Sequence, residues 1–101
     1  MARAKARAEA PPPPLVPVRT SQFKKDVKAQ VKRGKDVGKL RAVIEALCAR
    51  SPLAAHHEDH PLGGRFKGWR DCHVEPDWLL IYAVTETELL LARTGSHSDL
   101  F

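Results

Sequence analysis

The seven residues Trp78-Leu-Leu-Ile-Tyr-Ala-Val84 are almost wholly apolar and stand between two turn signals, Glu75-Pro76-Asp77 before them and Thr85 to Thr87 after. A short apolar run bounded in this way reads as the central strand of a sheet. Candidate neighbours lie on either side of it: Phe66 to Val74 reads as the preceding strand and Glu88 to Arg93 as the following one. Leu15 to Arg19, just after a proline run, reads as a first strand. Between the first strand and the others lies a helical region. Thr20 or Ser21 caps it, and Phe23, Val27 and Val31 recur at intervals of four, leaving Lys24, Lys25, Lys28, Lys32 and Arg33 largely outside that stripe. Gly34 breaks the helix, and Val37, Leu40, Ile44 and Leu47 define a second stripe that ends near Ser51-Pro52, consistent with an antiparallel helical hairpin. Both stripes need a sheet to cover. Ser96 is placed to cap a last short helical turn. The expectation is an α+β domain of order β-α-α-β-β-β, in which a twisted, mainly antiparallel sheet packs against the helical hairpin and leaves its other face free to build a site.

A chain of 101 residues makes one small domain and has no room for a separate cofactor domain. Its formal charge is +5, and residues 3–50 carry 13 of the 17 Lys and Arg against 4 acids, which points to a polyanionic or acidic partner. No apolar run approaches the roughly 20 residues of a membrane span, and no signal-peptide core is seen, so a cytoplasmic location is expected. Residues 1–14, basic and Ala-rich and then Pro-rich, read as a disordered extension ending in a polyproline spacer ahead of a domain at 15–101. The 2 cysteines, Cys48 and Cys72, are expected as free thiols.

The final third gathers histidines, an aspartate, an arginine and large aromatics into short segments: Asp59-His-Pro-Leu-Gly-Gly-Arg-Phe-Lys-Gly-Trp-Arg-Asp71, then His73 to Tyr82, then Arg93-Thr-Gly-Ser-His-Ser-Asp-Leu-Phe101. Cutting RNA without a metal needs a group that accepts the 2′-hydroxyl proton, a group that gives a proton to the leaving 5′-oxygen, and a fixed cation for the charge gathering on the phosphate. Histidine, aspartate and arginine supply these, since an imidazole can be either neutral or protonated near pH 7. Aromatics such as Trp78 and Phe101 can stack on splayed-out bases. Zinc is the other reading of a cluster such as His56, His57, His60, Cys72 and His73, but that spacing matches no established zinc pattern. Neither metal nor cofactor is expected.

The string from Asp59 to Tyr82 and the ending from Arg93 to Phe101 resemble the YafQ branch of the RelE/ParE superfamily, the toxins of bacterial type II toxin–antitoxin pairs. The resemblance extends to Ser21–Lys28, Lys35-Asp36 and Lys39-Leu40, and so covers roughly residues 15–101. It implies a RelE-like fold and a ribosome-dependent messenger-RNA endonuclease that acts on the codon in the A site of the 70S ribosome. It also implies a cognate antitoxin, acidic where it wraps the toxin's basic surface. His97 then matches the family's catalytic histidine and is assigned general acid. Asp77 matches its catalytic aspartate, as general base or as the group orienting a histidine base. His60 is the alternative base, and His73 binds or orients the phosphate. Arg93, at the end of the last strand, would hold the scissile phosphate through paired hydrogen bonds or form a salt bridge to Asp71 or Glu75. Trp78, Phe101, Lys67 and Arg70 are the expected RNA contacts. The rival is a ParE-like topoisomerase poison or a non-catalytic basic RNA-binding module, but those relatives lack the set His60, His73, Asp77 and His97.

Overall fold

The computed structural model describes residues 11–101. The chain runs β1 (Val16–Arg19), α1 (Ser21–Lys32), α2 (Val37–Cys48), β2 (His60–Pro61), β3 (Arg70–Glu75), β4 (Trp78–Val84), β5 (Glu88–Gly95) and α3 (His97–Leu100), with single 3-10 turns at Ala55–His57 and Gly64–Phe66. The sheet order is β1-β5-β4-β3-β2, with β1 parallel to β5 and the other pairs antiparallel. The expected α+β architecture is present. Pro11–Pro14 are exposed and belong to no helix or strand, while residues 1–10 of the expected extension lie outside the described residues.

Strand β4 is central in sequence and in space. No residue from Trp78 to Tyr82 is more than 2% exposed. Its side chains alternate between two cores. Trp78, Leu80 and Tyr82 join Cys72, Val74, Leu89, Leu91 and the helical residues Phe23, Leu40, Val43 and Leu47. Leu79 and Ile81 face the other way, onto Leu100, with Leu62, Phe66, Trp69 and Ala92 packed around them. The face expected to be free therefore carries a small second core, because a strand apolar on both sides needs cover on both. That cover consists of α3 and the residue 62–69 loop.

Helix α1 starts at Thr20, whose hydroxyl accepts from Phe23 N at 2.9 Å and donates to Ala92 O at 2.9 Å, fixing the helix start against β5. Its buried face is Phe23, Asp26 and Gln30, with Val27 half-buried, whereas Val31 is 53% exposed. The apolar stripe that included Val31 is thus displaced by one residue, because two of the inward positions are polar. Asp26 explains its own burial. Its Oδ2 accepts from Arg93 Nε at 2.7 Å and from Thr94 N at 3.2 Å, and its Oδ1 accepts from Arg93 Nη2 at 3.2 Å. Thr94 in turn accepts from Trp78 Nε1 at 2.9 Å and donates through Oγ1 to Leu79 O at 2.6 Å. One polar chain thereby links α1, β5 and β4 inside the molecule.

Strand β3 begins at Arg70, four residues later than the sequence reading places it. Gly64 at φ 61° and Gly68 at φ 94° occupy the left-handed region and fold residues 64–69 into consecutive turns. The two-residue β2, pairing His60 with Asp71 and Pro61 with Arg70, is an edge strand the sequence reading lacks. A β-bulge at His73–Glu75 ends β3.

Replacing Asp26 with Ala strands the Arg93 guanidinium and the Thr94 amide, and is expected to cost about 2 kcal/mol of stability in urea unfolding. A loss below about 0.5 kcal/mol, the range of an ordinary surface substitution, would contradict this placement of the network.

Candidate active site

Alternation along β3 sorts its side chains. Cys72 and Val74 belong to the core under the helices, so Asp71 and His73 lie on the opposite face, beside Leu79 and Ile81 in the register. Pairing with Asp71 brings His60 to the same place. The fourth contributor is α3. Ser96 and Asp99 form a reciprocal capping box, and Asp99 also receives both terminal nitrogens of Arg33, at 2.6 and 3.1 Å, tying the last turn to the end of α1. His97, first in that turn, is held against the Pro76-Asp77 turn: Asp77 Oδ1 accepts from His97 N at 3.0 Å and lies 2.6 Å from His97 Nδ1.

These contacts define proton positions. The His97 amide first, and then its imidazole, hold the Asp77 carboxyl below the usual carboxylate range. Asp77 is therefore an ionised acceptor, His97 Nδ1 bears the hydrogen, and Nε2 is left at the exposed end of the ring. His60 is anchored through the same atom, with Nδ1 2.7 Å from Glu58 O, which only accepts. Asp71 Oδ1 is 3.3 Å from His60 Nδ1 and makes no hydrogen bond. Burial pushes the Asp71 carboxyl up, against the opposing pull of His60, His73 and His97. His73 stands edge-on to His97 with ring centres 5.7 Å apart. Its Nδ1 has no hydrogen-bond partner, the nearest carboxylate oxygen being Glu58 Oε2 at 3.7 Å.

The structure thus brings together His60, His73, Asp77 and His97. Phe101 lies beside them, 56% exposed and edge-on to Phe66 at 5.6 Å, with Lys67 exposed on the adjoining turn. Of the other expected members, Trp78 and Arg70 lie on the opposite face of the sheet, and Arg93 is engaged by Asp26. Trp78 is 1% exposed in the helix-side core, with its indole N–H spent on Thr94, so it offers no face to a base. Arg70 pairs in register with Tyr82, on the sheet face away from the histidines, and its Nε binds Asp59 at 3.2 Å. Arg93 pairs with neither Asp71 nor Glu75. Asp26 holds its Nε and Nη2, and Glu75 binds Lys35 and Lys39. Asp77, expected as general base or as the group orienting a histidine base, contacts the amide and the ring of His97. Glu58 and Asp71 complete the surroundings. Glu58 acts through a backbone carbonyl in a left-handed residue at φ 47°, for which sequence carries no signal, whereas two-residue alternation from His73 marks Asp71.

A neighbouring thiol is excluded from this chemistry. Cys72 is fully buried on the helix side, and burial pushes its thiol up to about 12. Among the described residues no set of at least three His, Cys, Asp or Glu side chains is arranged to hold a metal ion.

A small mixed sheet that presents Nδ1-anchored imidazoles on the face away from a basic helical hairpin has the form of a compact acid–base nuclease. Comparison with known proteins gives the lineage. The family model for the bacterial toxin of type II toxin-antitoxin system, YafQ, matches residues 15–101. The mRNA interferase toxin YafQ of Escherichia coli K12 is 49% identical over 83 residues, covering 81% of this chain and 90% of the relative. The fold matches that in the crystal structure of the E. coli DinJ-YafQ toxin-antitoxin complex with a TM-score of 0.80 at 46% identity, covering 86% of this chain and 97% of the other. It also matches a metal-bound toxin from Helicobacter pylori with a TM-score of 0.81 at 44% identity, covering 86% and 99%. The chain belongs to the YafQ family of type II toxin–antitoxin toxins.

Two predictions follow the site's electrostatics. Asp77 and Asp99 both lie below the usual carboxylate range, Asp77 through His97 and Asp99 chiefly through Arg33. Their stabilisation of the last turn is therefore fully present above the ordinary carboxylate value of about 4 and is lost only as pH falls through the depressed folded values. The protection factors of the His97 and Phe101 amides, taken relative to intrinsic exchange at each pH, should hold at pH 5 and fall in stronger acid, and release of the turn already at pH 5 would contradict this. Alkylation of the folded protein should spare Cys72 until denaturant is added, as peptide mass mapping would report. Rapid labelling of Cys72 without denaturant would contradict its burial.

Proposed function

We propose that this toxin is an endoribonuclease that cuts messenger RNA at the A-site codon of the ribosome, with His60 and His97 as the proton-transfer pair. The observation that carries this reading is their shared anchoring through Nδ1, to a carbonyl at His60 and to a carboxylate at His97. Each anchor fixes the tautomer and leaves Nε2 as the ring atom that can meet the RNA; His97, which matches the family's catalytic histidine, is assigned the acid, and His60 the base. In the reaction His60 Nε2 takes the 2′-hydroxyl proton and the 2′-oxygen attacks the adjacent phosphorus. The bond from phosphorus to the 5′-oxygen breaks, and His97 Nε2–H protonates that oxygen, giving a 2′,3′-cyclic phosphate and a 5′-hydroxyl.

The remaining groups bind. His73, beside His97, steadies the phosphate, and Arg93 adds the guanidinium edge that Asp26 leaves free. Phe101 is the exposed ring on which a base stacks, and Lys67 contacts the backbone. No step is routed through a metal.

The partners are messenger RNA, the 70S ribosome and a cognate antitoxin, and the ribosome places the action in the cytoplasm. No helix among the described residues is long and apolar enough to cross a membrane. The Lys- and Arg-rich helical hairpin meets ribosomal RNA through phosphate contacts. The antitoxin covers the same hairpin with an acidic amphipathic segment. A groove of about 570 Å³ between β1 and the helices suits it, being floored by Phe23, Val27, Leu40 and Ile44 and rimmed by Arg19, Lys24, Lys28 and Arg41.

The test is cleavage of a defined messenger RNA with its codon in the A site of purified 70S ribosomes. Wild type should cut at that codon, and His97→Ala should cut about 10²- to 10⁴-fold more slowly with its fold intact. Undiminished cutting by His97→Ala would remove the acid assignment. No cutting by folded wild type would favour a topoisomerase poison or a binding module.

A further inference from the structure

His57 lies outside the motif strings, yet its ring makes one of the shortest contacts near the site: Nδ1 is 2.5 Å from the backbone carbonyl of His73. A carbonyl only accepts, so His57 donates. We infer that His57 is a positioning residue for the nuclease reaction, holding the His73 backbone and the His60 loop at a fixed spacing by this hydrogen bond. The inference rests on the proposed roles of His60 and His73.

The geometry leaves this task to His57. The His73 imidazole has no hydrogen bond at Nδ1, so side-chain bonding there does not fix its place. Its backbone must do so, and β3 is irregular at that point, with the β-bulge starting at His73. A bulge interrupts the ladder locally, and a donor on the His73 carbonyl pins the backbone where regular pairing ends. The same bond acts on His60. His57 closes the 3-10 turn Ala55–His57, and the next residue is Glu58, whose carbonyl anchors His60 Nδ1 and whose carboxylate is the one nearest His73 Nδ1. Strand β2 itself spans only His60 and Pro61 and offers little grip. The His57 bond therefore fastens to β3 the loop that sets His60. The His56 ring flanks that of His57, tilted by 38° with ring centres 4.1 Å apart.

The test uses the full chain with His57→Leu, which keeps bulk but removes the donor, and His57→Asn, whose side-chain amide can donate from about the place of Nδ1. Two readouts are taken: single-turnover cleavage on A-site-programmed ribosomes, and the ring resonances of His60 and His73 in the free protein by NMR. His57→Leu should lower the single-turnover rate about 10- to 100-fold, the scale of a misplacement of about 1 Å at reacting groups, with little change in ribosome affinity. It should also move the ring resonances of His60 and His73. His57→Asn should recover most of the rate and keep wild-type resonances. Equal loss in both variants would overturn the inference, because ring packing rather than the hydrogen bond would then matter. A lowered Tm with unchanged rate and resonances in His57→Leu would overturn it too, leaving His57 a purely structural role. The NMR readout does not depend on activity. Inactive wild type with resonances displaced in His57→Leu would therefore count against the nuclease reading and not against the clamp.

Discussion

Burial of β4 on both faces is the constraint from which the rest of the molecule follows. Burying large apolar side chains contributes about 1.5–3 kcal/mol each, so neither Leu80 and Tyr82 on one side nor Leu79 and Ile81 on the other can be left in water. The helical hairpin covers the first set. The second is covered by Leu100 of the terminal turn and by Leu62, Phe66 and Trp69 from the loop before β3. These small covering elements also present the chemistry. Leu100 is three residues from His97, and Leu62 is two from His60, so packing the second core places both imidazoles at its rim.

Polar contacts then refine what packing makes approximate. Asp26, Thr94 and Trp78 join the hairpin to the sheet through the interior, and Arg33 with Asp99 joins it to the terminal turn around the outside. The Arg33–Asp99 pair is partly exposed and adds little stability by itself, but it acts on a turn of only four residues that has few other anchors. His97 is held by Asp77 at its amide and at its ring, so its orientation is fixed from both the backbone and the side chain. Function asks for this rigidity, since proton transfer requires heavy atoms at hydrogen-bond distance from the reacting oxygens.

Much of this was legible from the chain. The span of β4, its flanking turns and the caps at Thr20 and Ser96 announce themselves through local patterns, whereas the candidate histidines stand out through the family resemblance. Local pattern misleads where tertiary context overrides it. Gly64 and Gly68 adopt left-handed backbone that cuts short an otherwise strand-like stretch from Phe66. Asp26 and Gln30 take inward places on α1 that hydrophobic periodicity assigns to Val31. Trp78 and Arg70 drew attention by their residue type and their place in the motif, yet strand alternation puts both across the sheet from His73. Glu58 and His57 act through backbone geometry and a loop-to-strand bond, which no spacing rule reveals.

In the proposed reaction His97 delivers a proton to the leaving oxygen, and a bridging 5′-phosphorothiolate at the scissile position makes that step measurable. A thiolate leaves without protonation, so the acid becomes dispensable while the base does not. With His97 as the acid, this substrate in the ribosomal A site should restore cleavage by His97→Ala to near the wild-type rate and leave His60→Ala slow. If His97→Ala stays as slow on the sulfur substrate as on the oxygen one, His97 is not the acid and the assignment of the pair is wrong.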